Sequence, residues 1–159
     1  MKTVLRFGFI EGKGATNVIP DSVKLMGTFR SLDENWRFKA HDLMSDLAKE
    51  ICERRGASAD LEIRIGYPSV YNNPELTEKM RKCAIEYLGE DKVHELPERM
   101  TGEDFSFYAQ KIPGCFYRLG TASPSSDHGH HGLHTPYFDI DENALVIGAG
   151  LMAYGAINC

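Results

Sequence analysis

The sequence has few of the features that mark membrane-bound or secreted proteins. No apolar run approaches the roughly 20 residues that cross a bilayer. Lys2 and Arg6 place charge too early for the apolar core of a secretory signal. Internal repeats, low-complexity runs and charge blocks are also missing. These absences predict a soluble, cytoplasmic, globular chain with no membrane role.

Basic residues are in the minority. The chain has 18 Lys and Arg against 23 Asp and Glu, for a formal net charge of -5. A nucleic-acid-binding surface needs a basic patch or stripe, and the sequence offers neither. We therefore expect no nucleic-acid partner.

Cysteine is sparse and lacks metal-binding spacing. Cys52, Cys83, Cys115 and Cys159 form no CxxC pair. Free cysteine packs as a small apolar residue, so we expect four reduced, buried thiols. That expectation fits a reducing compartment.

The 159 residues are 42% hydrophobic, which is enough for a core. In the first part, residues 4–10, 22–30 and 59–65 are predicted as strands. In residues 4–10, Leu5, Phe7 and Phe9 are in step, at alternate positions that would share one face of a strand. The other two segments alternate between apolar and polar residues. Between the second and third strands, Ser31 and Glu34 form a capping-box pattern that opens a helix running to Gly56. The predicted arrangement is α+β, a helix on an antiparallel sheet.

The second part alternates helices with few strands. Asn73 and Pro74 predict a helix start. A second helix is predicted over residues 105–112, with Tyr108 and Ile112 facing inward, and a third over residues 143–156. Only residues 93–96 and 115–119 suggest strands, and two strands rarely form a stable sheet. The sequence thus predicts an α/β part that is short of strands.

Histidines are concentrated near the end of the chain. Four of the six lie within seven positions, as His128, His130, His131 and His134. Imidazole is a common ligand for zinc and similar ions, although a solvated surface loop would show the same composition. His134 is better positioned than the others because it stands between Gly132 and a Thr-Pro turn. The roles of the other three stay open.

Two further groups could carry chemistry. Glu103 and Asp104 could act in acid–base chemistry or bind a cation, but they could equally complement a helix N-terminus. Asn17 lies in a Gly-rich turn and Arg30 ends a strand, both ordinary places for those residue types. Together, however, an amide donor and a guanidinium fork suit a carboxylate or a developing oxyanion.

Four short motifs occur in a characteristic order: GATNVIP at 14–20, GTFR at 27–30, TGEDF at 101–105 and GLHTPYFD at 132–139. In this order they resemble the zinc-dependent amidohydrolases and metallopeptidases of the aminoacylase/carboxypeptidase type. The similarity is greatest to the branch with hippurate hydrolase, N-acyl-amino-acid amidohydrolases and auxin-conjugate hydrolases. The resemblance implies that residues 1–66 are the latter part of a ferredoxin-like lid and dimerisation domain. Residues 67–159 would be the C-terminal part of an α/β metallohydrolase catalytic domain.

The resemblance also implies roles for individual residues. Asn17 matches a lid asparagine that contacts the substrate or tetrahedral intermediate, and Arg30 matches the lid arginine that grips the substrate carboxylate. His134 matches a metal ligand, while Glu103 and Asp104 match a motif that lines the active site. The complete enzyme would be a homodimer that uses zinc, manganese or cobalt. Its metal-activated water would cleave the amide bond of an N-acyl amino acid.

Other parts of the family pattern are missing. Nothing in the sequence matches the Cys-Gly-His-Asp and Glu-Glu motifs that supply the remaining metal ligands and the general base. We therefore expect the isolated chain to be inactive and to bind metal weakly or not at all. Two alternatives are a non-catalytic dimerisation or metal-binding remnant, and one half of a split enzyme with a separately encoded N-terminal half.

Overall fold

The computed structural model describes residues 2–123, 125 and 127–159. In that part of the chain two strands and four α-helices form a mixed α/β arrangement with an antiparallel sheet, which confirms the predicted fold class. In chain order the elements are β1 (Thr3–Glu11), β2 (Lys24–Ser31), α1 (Glu34–Glu53), α2 (Pro74–Leu88), α3 (Phe105–Ala109) and α4 (Asn143–Asn158).

The chain divides into two compact units. The first unit is Met1–Val70 with Glu98–Phe107, and the second is Tyr71–Pro97 with Tyr108–Cys159. The division near residue 70 lies close to the predicted boundary, but a later segment joins the first unit. The assignment of residues 1–66 to a lid and 67–159 to a catalytic domain stays a prediction.

The antiparallel sheet of the first unit contains a bulge in β1. Phe7 pairs with Gly27, and the next pairing joins Phe9 to Met26, so Gly8 is the extra residue. Directly paired residues share a face, while Gly27 and Met26 are neighbours on opposite faces. Phe7 and Phe9 therefore lie on opposite faces, and the expectation that they are in step is wrong. Gly27 is needed where the strands approach, because a Cβ there would overlap the carbonyl oxygen of Arg6.

Helix α1 begins two residues later than the predicted capping box would place it. Its N-cap is Asp33, whose carboxylate accepts a hydrogen bond from Trp36 N at 3.0 Å. The Ser31 hydroxyl instead accepts from Asp33 N at 3.1 Å. Glu34 does not reach back to the cap; it pairs with Arg37. The capping box was wrong because Asp33, an equally strong cap, stands immediately before the helix.

Contacts from α1 hold the helix on the sheet. The indole nitrogen of Trp36 donates to the Thr3 hydroxyl at 3.1 Å, which ties α1 to β1. The rings of Phe29 and His41 meet edge to face at 5.9 Å, which ties α1 to β2. The predicted layer of a helix on an antiparallel sheet is therefore confirmed for β1, β2 and α1.

In the second unit, α2 and α4 pack closely and run antiparallel. As predicted, Asn73 caps α2 by accepting from Leu76 N at 2.9 Å, and Pro74 is the first helical residue. Two glycines of α4 make room for α2: a Cβ on Gly150 would overlap the ring end of Tyr87, and one on Gly155 would lie 2.6 Å from Met80 Sδ. None of the helices in the described ranges is long and apolar enough to cross a membrane.

Three predicted strands are not formed. Residues 59–65, 93–96 and 115–119 carry no strand, because none of them has a ladder partner within the described part of the chain. In the last of these, the side-chain amide of Asn72 takes the place of a neighbouring strand. It accepts from Phe116 N and donates to Phe116 O, both at 2.8 Å.

Helix α3 is shorter than predicted. It ends at Ala109, so the helical period does not continue to Ile112. Tyr108 and Ile112 are 65% and 63% exposed, and the expectation that they face inward is wrong. The buried residue is Ser106, whose hydroxyl donates to the Glu103 carbonyl at 2.6 Å.

The four thiols are free, but they are not uniformly buried. Cys83 is buried, Cys52 and Cys115 are half-buried, and Cys159 is exposed. The prediction of a buried thiol is confirmed for Cys83 and is wrong for Cys159, which directly follows the last residue of α4.

Candidate functional site

Arg30 is placed by the register of the sheet. It pairs with Val4 near the end of β2, and its side chain is exposed. Its Nη1 donates a hydrogen bond to the carbonyl oxygen of Met100 at 2.5 Å. Guanidinium has five N–H donors in a fixed fork, and this bond engages one nitrogen of it. The fork therefore has a defined position together with capacity for an anion.

The segment that carries Glu103 and Asp104 is attached to the first unit at several points. Lys2 Nζ lies 2.5 Å from the Glu98 carboxylate, and the Arg30 bond follows two residues later. The ring of Phe107 meets that of Tyr67 edge to face at 5.8 Å. The structure thus brings two separate sequence predictions, Arg30 and the Glu103–Asp104 pair, into one unit.

Local hydrogen bonds fix the backbone of the acidic pair. The Glu103 carbonyl accepts from Ser106 N at 3.1 Å, and the Asp104 carbonyl accepts from Phe107 N at 3.0 Å. Glu103 is half-buried and Asp104 is exposed. These carbonyls form the first turn of α3, so the position of the two carboxylates depends on that short helix.

Asn17 lies in the connection between β1 and β2. A turn closes there with a bond from Val18 N to the Ala15 carbonyl at 3.1 Å. A Cβ at Gly14 would lie 2.9 Å from the Val18 carbonyl, so the turn is tight. Asn17 is exposed and belongs to the same unit as Arg30 and the acidic pair.

His134 belongs to the second unit and has an unusual backbone. Its φ is +65°, the left-handed region that residues other than glycine seldom adopt. The turn around it is closed by a bond from the Thr135 hydroxyl to the Gly132 carbonyl at 2.9 Å and one from Phe138 N to the Thr135 carbonyl at 3.1 Å. Such conformations are concentrated at functional sites, and here the hydrogen bonds of the turn fix the backbone that carries the exposed imidazole.

The histidine-rich segment contains an ion pair that sequence reasoning missed. His128 Nδ1 contacts the Asp139 carboxylate. The hydrogen bond that the Asp139 carboxylate accepts from the imidazole raises the pKa of His128, and the same bond lowers the pKa of Asp139. The other Asp139 oxygen accepts from Ile140 N at 2.8 Å. The two residues are 11 positions apart without helical or strand periodicity, so no sequence signal joins them.

The described residues do not complete a metal centre. Among them, no group of three or more His, Cys, Asp or Glu side chains is arranged to hold an ion. A zinc site needs three or four such ligands on a rigid framework. His134 alone therefore does not fit the requirements of a bound metal.

Comparison with known proteins gives a consistent family match. A model of the peptidase family M20/M25/M40 matches residues 5–157. Thermostable carboxypeptidase 1 of Saccharolobus solfataricus is 37% identical over 134 residues, which are 84% of this chain and 33% of that protein. IAA-amino acid hydrolase ILR1-like 2 of Arabidopsis thaliana is 30% identical over an alignment of 156 positions, and the match covers 93% of this chain and 34% of that protein.

A solved structure extends the similarity to three dimensions. The YXEP protein of Bacillus subtilis, described as a dinuclear metal binding peptidase, superposes with a TM-score of 0.76 and 30% identity. The match covers 98% of this chain and 41% of that one. The chain thus spans between a third and two-fifths of the length of these similar proteins.

Proposed function

Because the chain belongs to peptidase family M20/M25/M40, we propose that it is the C-terminal portion of a metal-dependent amidohydrolase and includes residues that bind the substrate. The substrates of the complete enzyme would be N-acyl amino acids or related small amides. Residues 1–66 would be the lid portion and residues 67–159 the catalytic portion. The order of the four motifs supports this division.

The position of Arg30 is the observation that carries the proposal. Its guanidinium is exposed, yet its hydrogen bond to the Met100 carbonyl at 2.5 Å fixes one nitrogen. A planar fork held in this way suits the two oxygens of a carboxylate. In the proposal Arg30 grips the amino-acid carboxylate, Asn17 donates its amide to the oxygen that develops charge, and Glu103 and Asp104 line the site.

His134 would supply one metal ligand to the complete enzyme. The metal would be a divalent cation such as zinc, manganese or cobalt. The described residues contain no group of three ligands, so this chain by itself gives no basis for a metal-dependent step. The proposal is therefore that the isolated chain does not turn over substrate, and that the complete activity requires the remaining ligands and a general base.

Carboxylate recognition can be tested on the chain as it is. Its ¹⁵N-labelled form is titrated with N-benzoyl-glycine and with the methyl ester of that compound, which masks the carboxylate. We expect shifts in residues 98–107 and near Arg30 with the acid only, and their loss in Arg30→Ala. Arg64→Ala is the matched control, because Arg64 is an exposed arginine that pairs with Glu62. Equal shifts with acid and ester would contradict the proposal.

Inactivity is tested by a hydrolysis assay on N-acetyl- and N-benzoyl-amino acids with added zinc, manganese or cobalt. We expect no turnover above that of the metal alone. Turnover that disappears in His134→Ala would show that the chain is catalytic without further residues.

A dimerisation fragment is a second candidate, favoured by the exposed sheet. Phe7 is 63% exposed and Ile10 is 74% exposed on a sheet of only two strands in the described part of the chain. Two-stranded sheets are marginal alone and gain stability from further strands or packing. Sedimentation of the chain and of Ile10→Lys tests this candidate: a dimer that the variant dissociates supports it, and a monomeric parent chain excludes it.

A further inference from the structure

Two cysteines far apart in sequence meet in the second unit. Cys83 on α2 and Cys159 after α4 are 76 positions apart, yet their Sγ atoms are 3.0 Å from each other. Cys83 is 5% exposed, while Cys159 is exposed. One thiol is therefore sheltered and the other open to solvent, at a separation that a small side-chain movement can close.

The helix packing explains why these sulfur atoms meet. Gly150 and Gly155 allow α4 to lie directly against Tyr87 and Met80 of α2. The phenol of Tyr154 donates to the Glu86 carboxylate at 3.0 Å, which fixes the last turn of α4. The backbone N–H of Cys159 then donates to the Gly155 carbonyl at 2.9 Å, so the helical path continues to the thiol.

The number of ligands suits a disulfide better than a shared metal. A zinc site needs three or four ligands, and no group of three His, Cys, Asp or Glu side chains lies together among the described residues. A disulfide requires the sulfurs to approach to about 2.05 Å. The third sulfur nearby, Met80 Sδ, is 4.0 Å from Cys159 Sγ and is a thioether that leaves both thiols available.

We propose that Cys83 and Cys159 are a reversible oxidation site that forms an intramolecular disulfide between α2 and α4. The oxidant class is a small-molecule disulfide such as oxidised glutathione. The exposed Cys159 thiolate attacks it, forms a mixed disulfide and releases one glutathione thiolate. The Cys83 thiolate then attacks Cys159 Sγ, forms the protein disulfide and expels the second glutathione thiolate.

The exchange is balanced. Two protein thiols lose two electrons and two protons, and one glutathione disulfide becomes two glutathione thiols. The order of attack follows from the environment: the hydrogen bond with Cys159 and then burial raise the pKa of Cys83. Cys83 therefore stays protonated while the exposed thiol reacts first.

The test equilibrates the full chain with glutathione buffers of increasing oxidation, followed by thiol titration and non-reducing peptide mapping. We expect the four free thiols to fall to two, with one cross-linked peptide pair that contains Cys83 and Cys159. Cys52→Ser should form the same cross-link, and Cys159→Ser should not. A pairing between other cysteines, a Cys159 that remains a glutathione mixed disulfide, or four thiols that persist at full oxidation would each overturn the proposal.

A thermal measurement provides an independent readout. A disulfide that closes a long loop should raise the unfolding temperature of the oxidised parent chain by about 5 °C or more. The rise should vanish on addition of a reductant and be absent in Cys159→Ser. An oxidised chain that contains the cross-link but unfolds at the same temperature as the reduced chain would show that the pair does not stabilise α2 against α4.

Discussion

The guanidinium of Arg30 and the carbonyl of Met100 are 70 positions apart in sequence and 2.5 Å apart in the first unit. The bond fixes the beginning of the TGEDF segment against the end of β2. The residue proposed to grip the substrate carboxylate thereby also holds the acidic segment proposed to line the same site. Substrate binding at Arg30 and the position of Glu103 are expected to be linked.

The first prediction follows from that bond. Arg30→Ala should increase hydrogen exchange of the Ser106 and Phe107 amides by about fivefold, which corresponds to a loss of about 1 kcal/mol of local stability. Exchange mass spectrometry of residues 98–107 measures it, with Arg64→Ala as the control. Unchanged exchange in Arg30→Ala would show that the Met100 bond does not hold the segment.

The cap of α1 gives a second prediction. Asp33→Ala should lower the free energy of unfolding by about 1 kcal/mol because the Trp36 amide loses its acceptor. Asp33→Asn keeps an acceptor and should cost only a few tenths of that amount. Urea denaturation measures both variants. A larger loss in Ser31→Ala than in Asp33→Ala would restore Ser31 as the cap.

The contact of Gly150 with Tyr87 gives a third prediction. Gly150→Ala should lower the free energy of unfolding by about 1–3 kcal/mol, because the new Cβ would lie 2.8 Å from Tyr87 Cζ. The loss should be smaller in a Tyr87→Ala background, where the ring is gone. If the cost were the same in both backgrounds, the closeness of α2 and α4 would not be its cause.

The pair of His128 and Asp139 gives a prediction of pH dependence. The Asp139 carboxylate raises the pKa of His128. The contribution of the charged imidazole to the free energy of unfolding is therefore complete below the ordinary histidine pKa of about 6.5, and it is lost as pH rises through the raised pKa. The pKa of Asp139 is lowered. The contribution of its carboxylate to the free energy of unfolding is therefore complete above about pH 4, and it is lost as pH falls through the lowered pKa.

The stability difference between the parent chain and Asp139→Asn should therefore be greatest between about pH 4 and 6.5. NMR titration should also show the His128 pKa falling toward its ordinary value in the variant. A His128 titration that is the same in both proteins would mean that the ion pair does not form in solution.

Metal removal gives the fifth prediction. A chelator should leave the unfolding temperature of the chain unchanged within about 1 °C, because no ligand group among the described residues holds an ion that could stabilise the fold. Thermal unfolding with chelator or with added zinc measures this. A rise of several degrees with zinc that is absent in His134→Ala would contradict the prediction.

Local signals in the sequence predicted the structure well where the deciding interactions join residues only a few positions apart. Asn73 and Pro74 began α2 as expected, and the alternation of residues 22–30 predicted β2. Residues 59–65 alternate equally well but form no strand, because no partner strand lies beside them in the described part of the chain. A strand is a property of a pair, and the pattern of one segment does not reveal whether its partner is present.

The same distinction applies to the candidate site. Arg30 and the TGEDF segment could each be selected from the sequence, but the bond between Arg30 and Met100 depends on tertiary placement. His128 and Asp139 were likewise joined only by the fold. The choice between Ser31 and Asp33 as the cap was a local matter, and it failed because both residue types are strong caps.

The bulge at Gly8 divides the sheet into two stretches of different phase. Thr3 through Phe7 pair with residues 27–31 in one register, and Phe9 through Glu11 pair with residues 24–26 in another. Arg30 belongs to the first stretch, whereas the connection that contains Asn17 leaves from the second. A change in the length of that connection can therefore be absorbed at the bulge. Loop variation can then alter the position of the Asn17 amide while the Arg30 guanidinium stays on the same face of the sheet.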